Sequence, residues 1–282
     1  MRCLVFGGNG LLGSRLSNRI SSKYEVFRSS RNSEFFSCFG DGGSVNKIIQ
    51  ELKPNCILNC SAFADVNGCE NDPLKAFQIN ALGAREISDS INLIDRSIRF
   101  IHISTDHFYD SKNASTENQI LPKNIYAYSK LLGEKYINND NALILRTNFF
   151  GKSSTSKNSF SDWLFENLSL SNTLNLFDDI FFNPLSISTL EDLIFGLINS
   201  SNTGIFNLGS SSFMSKYDFG MKFCEVAGFD CESIVKTSSG STNHFDKRPK
   251  SMIMSVIKFQ NKFDIILPNL EEEITKSVKE YK

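Results

Sequence analysis

The first twenty residues of this 282-residue chain combine an apolar strand, a glycine-rich turn and an amphipathic helix. The run RCLVFG is typical of a strand that is buried on both faces. Three glycines in a GxxGxxG arrangement follow it, and apolar residues then recur at helical spacing: Gly7, Gly10 and Gly13, then Leu12, Leu16 and Ile20. In the dinucleotide-binding fingerprint, glycine permits the tight turn and the helix N-terminus presents N–H groups to a pyrophosphate. We therefore expect a dinucleotide cofactor at Gly7, Gly10, Leu11, Leu12 and Gly13.

The residues after the second predicted strand, YEVFR (24–28), indicate which dinucleotide is bound. A fold that prefers NAD usually has an acid here to hold the ribose 2′-hydroxyl, whereas this chain has Ser29, Ser30 and Arg31. A guanidinium beside a hydroxyl suits a 2′-phosphate. We predict that Ser30 and Arg31 bind NADPH, which is preferred over NAD. A solvated loop arginine is the alternative.

Strands and helices alternate along the first half of the chain. Further strands are predicted at 55–60, 98–104, 142–147 and 204–210, with a loop at 61–73 and a long helix from Pro73 on which Asn80 is an ordinary surface residue. This alternation predicts an α/β fold with a Rossmann-type, doubly wound parallel sheet.

The character of the chain changes after Gly151, where a serine-rich loop and short elements begin. We expect an NAD(P)-binding domain at 1–151 with a returning segment at about 187–211. A smaller C-terminal substrate-binding part then comprises 152–186 and 212–282.

Tyr126 and Lys130 are one helical turn apart in NIYAYSKLLGEKY, so both face the same side of the predicted helix. An ammonium beside a phenol lowers the pKa of the phenol, which can then exchange a proton with an alcohol or ketone oxygen. Alone this spacing is weak, because tyrosine- and lysine-rich helices produce it by chance. Thr105 adds a hydroxyl at the carboxyl end of a predicted strand, where ligands of α/β sheets bind.

Composition excludes several other classes of protein. The net charge of −1 offers no basic surface for nucleic acid or anionic membranes, and no 18-residue apolar run occurs. We expect seven reduced cysteines, a cytoplasmic location and no signal peptide. We also expect no metal site, since the chain has no CxxC pair and only three histidines, His102, His107 and His244.

Five motifs, GGNGLLG, ISTDHFYD, YAYSK, LRTNFFG and RPKS, occur together in one order. In this combination the chain resembles the extended short-chain dehydrogenase/reductases, most closely the dTDP-4-dehydrorhamnose reductase group. The resemblance implies reduction of the C4 ketone of a nucleotide-linked 4-keto-6-deoxyhexose by NAD(P)H, in nucleotide-sugar and surface-polysaccharide synthesis. A homodimer would be compatible with it.

The same resemblance implies roles for individual residues. Tyr126 would donate the proton to O4, Lys130 would hold the nicotinamide ribose, and Thr105 would hydrogen-bond the ketone. Ser61 and Ala62 would border the cofactor. Further substrate-binding residues would be Asp106, His107, Asn148 and Arg248, the last of these near the phosphates.

Some positions depart from the family pattern. His107 stands where many relatives have tyrosine, Asn67 and Gly68 replace an Asp-Lys pair, and Cys38 replaces an acid near the adenine. His107 also argues against a 4,6-dehydratase, which carries Thr-Asp-Glu. A sugar-nucleotide epimerase and a non-catalytic NADP-binding regulatory subunit remain as alternatives.

Overall fold

The computed structural model describes residues 1–31, 33–156, 158–241 and 248–282. The chain forms two compact units. The first comprises Met1–Thr105, Asn124–Arg146 and Glu191–Ile205, and the second comprises Asp106–Lys123, Thr147–Leu190 and Phe206–Lys282. Residues 106–123 thus lie in the second unit, whereas the division from sequence grouped them with 1–151.

The first half of the chain alternates strands and helices as predicted. Its elements are β1 (Arg2–Phe6), α1 (Leu11–Ser21), β2 (Glu25–Ser29), α2 (Ser44–Leu52), β3 (Cys56–Asn59), α3 (Val66–Asn71), α4 (Pro73–Phe77), α5 (Gly83–Ile94), β4 (Arg99–Thr105), α6 (Ile125–Tyr136) and β5 (Ala142–Thr147).

Shorter elements dominate the rest of the chain. These are β6 (Phe149–Phe150), α7 (Phe160–Ser169), β7 (Leu174–Phe177), β8 (Phe181–Phe182), β9 (Leu185–Ser186), α8 (Ile187–Leu197), β10 (Gly204–Leu208), β11 (Met214–Ser215), α9 (Lys216–Ala227), β12 (Ile234–Thr237), β13 (Ser251–Met252), α10 (Ile257–Phe263) and α11 (Leu270–Val278).

A six-stranded sheet in the order β10-β5-β4-β3-β1-β2 confirms the predicted Rossmann-type fold. Strand β1 pairs in parallel with β2 and β3, so that Leu4 lies between Phe27 and Ile57. Every residue of β4 is buried, as expected for a central strand covered on both faces. Helices α2 and α5 pack their apolar sides against this sheet through Ile49 and Ile91, among other residues.

The long helix from Pro73 is present but is interrupted by a π-helical turn at Gln78–Leu82, between α4 and α5. The loop predicted at 61–73 contains the short helix α3, whose N-cap is Asp65. The six residues of α3, VNGCEN, are largely polar and show no helical periodicity, so the apolar pattern of the sequence did not predict this helix.

The second unit is organised around an aromatic core. Phe150 and Phe219 meet edge to face, with ring centroids 4.8 Å apart, and Phe182 packs on Phe219 at 5.3 Å. Small two- and three-stranded sheets surround this cluster in the orders β11-β8-β13, β12-β7 and β6-β9. Of the 25 phenylalanines in the chain, eight lie in this core or pack against it.

Within the described residues, no helix is long and apolar enough to cross a membrane, and no group of three or more His, Cys, Asp or Glu side chains could hold a metal ion. All seven cysteines are free thiols; Cys38 is exposed, Cys60 and Cys231 are partly buried, and the other four are buried.

Candidate active site

The glycine turn between β1 and α1 has the geometry of a dinucleotide-binding loop. Gly7 has a φ of +74°, and a Cβ at this position would lie only 2.7 Å from the Ser61 backbone nitrogen. A Cβ at Gly13 would collide with the Gly7 carbonyl oxygen. Gly10, the N-cap of α1, supplies no side-chain cap. The N–H groups of the first turn therefore remain suited to an anionic ligand.

This close approach brings two of the predicted cofactor-binding segments together, the glycine turn and the residues after β3. Asn59 Oδ1 accepts hydrogen bonds from the backbone N–H and the hydroxyl of Ser61, which fixes the start of the segment Ser61-Ala62. The Asn59 amide nitrogen lies 3.1 Å from His102 Nδ1. Burial, followed by the charge of Lys130, holds the pKa of His102 well below its usual value, so this imidazole is neutral.

The end of β2 presents the residues predicted to select the cofactor. The backbone N–H groups of Gly7 and Gly8 donate to the Ser29 carbonyl at 2.8 and 3.3 Å, which ties the glycine turn to this strand. The Ser30 hydroxyl oxygen is buried and has no hydrogen-bond partner among the described residues. The next residue, Arg31, is exposed. A buried hydroxyl that lacks a partner, beside an exposed guanidinium, fits the phosphate of NADP.

Helix α6 carries Tyr126 and Lys130 on its buried side. Its N-cap is Asn124, whose side chain accepts from the Ala127 N–H at 2.8 Å. Lys130 is only 2% exposed, and its ammonium donates to the Ile103 carbonyl oxygen at 2.7 Å. This bond ties α6 to β4 two residues before Thr105, which is itself buried at the end of that strand. The structure thus places the predicted catalytic residues on two elements that are directly bonded.

The position of Lys130 explains its electrostatic state. Burial lowers the pKa of the Lys130 ammonium to about 8, while the nearby Glu134 carboxylate and Cys60 thiol act in the opposite direction. Lys130 therefore stays cationic at neutral pH but loses its charge in mildly alkaline solution.

A buried ion pair lies one turn further along α6. The Arg146 guanidinium, on β5, reaches Glu134 Oε2 at 2.6 Å, and the two side chains are 2% and 1% exposed. The Ser104 hydroxyl, on β4, donates to Glu134 Oε1. One carboxylate on α6 is thus bonded to both strands beneath the helix.

The prediction that Asn80 is an ordinary surface residue was wrong. It is 1% exposed, and its side chain accepts from the Phe63 N–H at 2.8 Å and donates to Phe63 O and to Ser129 Oγ on α6. The signal was present in the sequence, because Asn80 lies at i+3 from Phe77 and at i−4 from Ala84, on the apolar side of its helix.

The remaining predicted substrate-binding residues lie in the second unit. Asn148 Nδ2 donates to Asp106 Oδ2 at 2.6 Å. His107 is close enough to Arg248 and Lys216 that their charges, after burial, lower the pKa of its imidazole to about 4. The structure therefore groups Asp106, Asn148, His107 and Arg248, and adds Lys216, which the sequence analysis did not identify.

The residues that follow Arg248 are held by a carboxylate. The backbone N–H groups of Lys250 and Ser251 donate to Asp110 Oδ1 at 2.7 and 2.9 Å. Residues 242–247, which include His244, lie outside the described residues.

Comparison with known proteins places the chain in a family. The pattern that defines the RmlD substrate binding domain matches residues 1–282. The chain belongs to this family. Among curated relatives, it is 28% identical over 97% of its length, and 96% of the relative's, to a probable low-salt glycan biosynthesis reductase of Haloferax volcanii. It is 26% identical to a dTDP-4-dehydrorhamnose reductase of Salmonella typhimurium, over 96% of this chain and 95% of that protein.

Solved structures show the same fold. A dTDP-4-dehydrorhamnose reductase from Bacillus anthracis, in complex with NADP, superposes with a TM-score of 0.90 at 23% identity, with 99% of each chain covered. A UDP-glucose 4-epimerase from Thermotoga maritima, with UDP-glucose, superposes with a TM-score of 0.84 at 18% identity, covering 100% of this chain and 98% of that one. RmlD-family membership thus agrees with the architecture of the sheet and of the glycine turn.

Proposed function

We propose that this RmlD-family protein is an NADPH-dependent reductase of the C4 ketone of a nucleotide-linked 4-keto-6-deoxyhexose, acting in glycan or polysaccharide synthesis. The observation that carries the proposal is the arrangement of Thr105, Tyr126 and Lys130, with the buried ammonium of Lys130 bonded to the strand that ends in Thr105. The reductases named among the relatives of the chain support the same reaction.

The chemistry follows from the side chains. A bound NADPH would supply the hydride to the ketone carbon. Tyr126 donates a proton to the ketone oxygen, and Thr105 donates a hydrogen bond to the same atom, so that two donors stabilise the negative charge as it develops. The Lys130 cation favours the phenolate that remains on Tyr126. Lys130 also holds the nicotinamide ribose.

The cofactor would be held by the first unit. The glycine turn (Gly7 to Gly13) binds its diphosphate, where the helix dipole of α1 favours the negative charge, and the segment Ser61-Ala62 borders the cofactor. Ser30 and Arg31 bind the 2′-phosphate, which makes NADPH the preferred form, with NADH accepted more weakly.

We further propose that Asp106, His107, Asn148 and Arg248 bind the nucleotide sugar. All four residues belong to the second unit, so in this proposal the second unit serves the substrate and the first unit serves the cofactor. The cytoplasmic location and the homodimeric assembly are proposals as well, which cell fractionation and light scattering test.

The deciding experiment is oxidation of NADPH and NADH by the purified protein with a panel of nucleotide-linked 4-keto-6-deoxyhexoses. We expect ketone-dependent oxidation of NADPH with at least one member, and its loss in Tyr126→Phe. Tight NADPH binding without oxidation of any member would contradict the proposal and favour a regulatory subunit, while C4 inversion without net oxidation would favour an epimerase.

A further inference from the structure

Lys216 is a lysine at an unusual place, the first residue of α9 on the aromatic core of the second unit. Its ammonium nitrogen lies 3.3 Å from the centre of the Phe182 ring and 4.4 Å from that of Phe160. Its backbone N–H donates to Ile180 O at 2.9 Å, so the start of the helix is fixed to the segment before β8. The side chain is therefore held over two aromatic faces instead of extending freely into solvent.

The charged surroundings of Lys216 leave its ammonium incompletely compensated. Among the described residues no carboxylate forms an ion pair with it, and its electrostatic neighbours are Asp106 and His107. Asp106 is bonded to Asn148, and His107 is a neutral imidazole. Burial lowers the pKa of Lys216 to about 7, which Asp106 partly opposes. Such a cation is expensive to keep in a protein unless it has a partner.

The proposed substrate suggests what that partner is. A nucleotide-linked 4-keto-6-deoxyhexose carries its negative charge on its diphosphate, and Arg248, the residue predicted to bind the phosphates, acts on the same imidazole, His107, as Lys216 does. Two cations that act on one neutral imidazole give this part of the second unit a positive charge that suits an anion. An arginine fork and a lysine point charge are complementary ways to bind a phosphate.

We propose that Lys216, held over Phe160 and Phe182, is a substrate-binding residue that contacts the diphosphate of the nucleotide sugar together with Arg248. This inference rests on the proposed function, because the reaction supplies the diphosphate. It adds a binding residue that none of the five sequence motifs contains. The aromatic rings fix the ammonium in position before the ligand arrives, which reduces the entropy lost on binding.

The test is calorimetric binding of dTDP, UDP and GDP to the full chain and to Lys216→Met, which keeps the length of the side chain and removes its charge. We expect the variant to bind the preferred nucleoside diphosphate about 10- to 100-fold more weakly, the range for loss of one charge-assisted hydrogen bond. NADPH affinity should remain unchanged. The melting temperature should stay the same or rise, since a charge that is held over aromatic rings without an ion-pair partner has been removed.

Lys236→Met is the matched control. Lys236 also lies near an aromatic ring, that of Tyr217 at 5.6 Å, but it is 61% exposed and paired with Asp178. Its removal should leave nucleotide affinity unchanged.

Two results would overturn the inference. One is equal nucleoside diphosphate affinity in Lys216→Met and the wild type, which together with a lower melting temperature would make Lys216 a structural residue. The other is no binding of any of these nucleotides by the wild type. Ketone-dependent NADPH oxidation by the wild type would then show that the proposed reaction stands although this subsite fails.

Discussion

Replacement of Arg146 by methionine tests whether the buried ion pair beneath α6 holds that helix in place. In the wild type, the guanidinium binds Glu134 Oε2 at 2.6 Å, and both side chains are almost fully buried. The substitution would leave the Glu134 carboxylate in the interior with the Ser104 hydroxyl as its remaining described hydrogen-bond partner and with the Lys130 ammonium as a nearby charge. A buried charge that loses its ionic partner is not rehydrated, so the folded state must bear the cost of its desolvation.

The expected loss in the free energy of unfolding is about 3–5 kcal/mol, the usual cost of breaking a buried pair from one side. For a chain of this size, each kcal/mol lowers the melting temperature by about 2–4 °C, so Arg146→Met should melt roughly 6–20 °C lower. Chemical denaturation followed by circular dichroism measures the free energy, and calorimetry measures the melting temperature.

Two further variants isolate the cause. Arg85→Met breaks the exposed pair with Asp89, whose side chains are each 54% exposed, and should cost less than about 1 kcal/mol. The double variant Glu134→Leu/Arg146→Met removes both charges and should be more stable than Arg146→Met alone, because no carboxylate is stranded. A cost for Arg146→Met as small as that for Arg85→Met, or a double variant no more stable than the single one, would refute this reasoning.

Three other predictions concern turnover and cofactor choice. Tyr126→Phe should lower kcat by about 100-fold or more while NADPH binding persists, since a positioned acid contributes ~10²–10⁴; near-normal turnover would remove the role assigned to Tyr126. Arg31→Ala should weaken NADPH binding by about 10- to 100-fold, the value of one charge-assisted contact, and leave NADH binding nearly unchanged in fluorescence titrations; equal effects on both would contradict the 2′-phosphate assignment. Because the pKa of Lys130 is about 8, its cation is present below that pH and is lost above it. We therefore expect kcat/KM to fall as the pH rises through about 8. A flat profile to about pH 9.5 would argue against the need for the charge of Lys130.

The strand, glycine turn and helix at the N-terminus were predictable because their signals are local. An apolar run, the spacing of Gly7, Gly10 and Gly13, and the helical recurrence of leucines lie within twenty residues. The helix that carries Tyr126 and Lys130 was predictable for the same reason, and the structure has it as α6. Each of these features depends on residues that are close together in sequence, so a single sequence is enough to predict them.

Lys216 and Lys130 show what such patterns cannot contain. In sequence, Lys216 is an ordinary lysine near a helix start, and only the fold brings it over Phe182 and Phe160. The YxxxK spacing places Lys130 beside Tyr126, but not against the Ile103 carbonyl oxygen, nor in an interior that lowers its pKa. Burial and partners that are distant in sequence set the pKa values of both lysines, and a local sequence pattern contains neither kind of information.

Helix α6 is positioned more strictly than apolar packing alone requires. Apolar contacts are not directional and tolerate small rotations of a helix, whereas hydrogen bonds to buried groups do not. Three polar residues on the buried side of α6 form such bonds: Ser129 with Asn80, Lys130 with Ile103, and Glu134 with Arg146. Gly133 adds to this, since a Cβ there would collide with the Asn80 carbonyl oxygen. These bonds fix the rotation of α6, and therefore the side of the helix on which Tyr126 lies. In the proposed reaction Tyr126 must reach one ketone oxygen, and a helix whose rotation is fixed by buried hydrogen bonds suits that requirement.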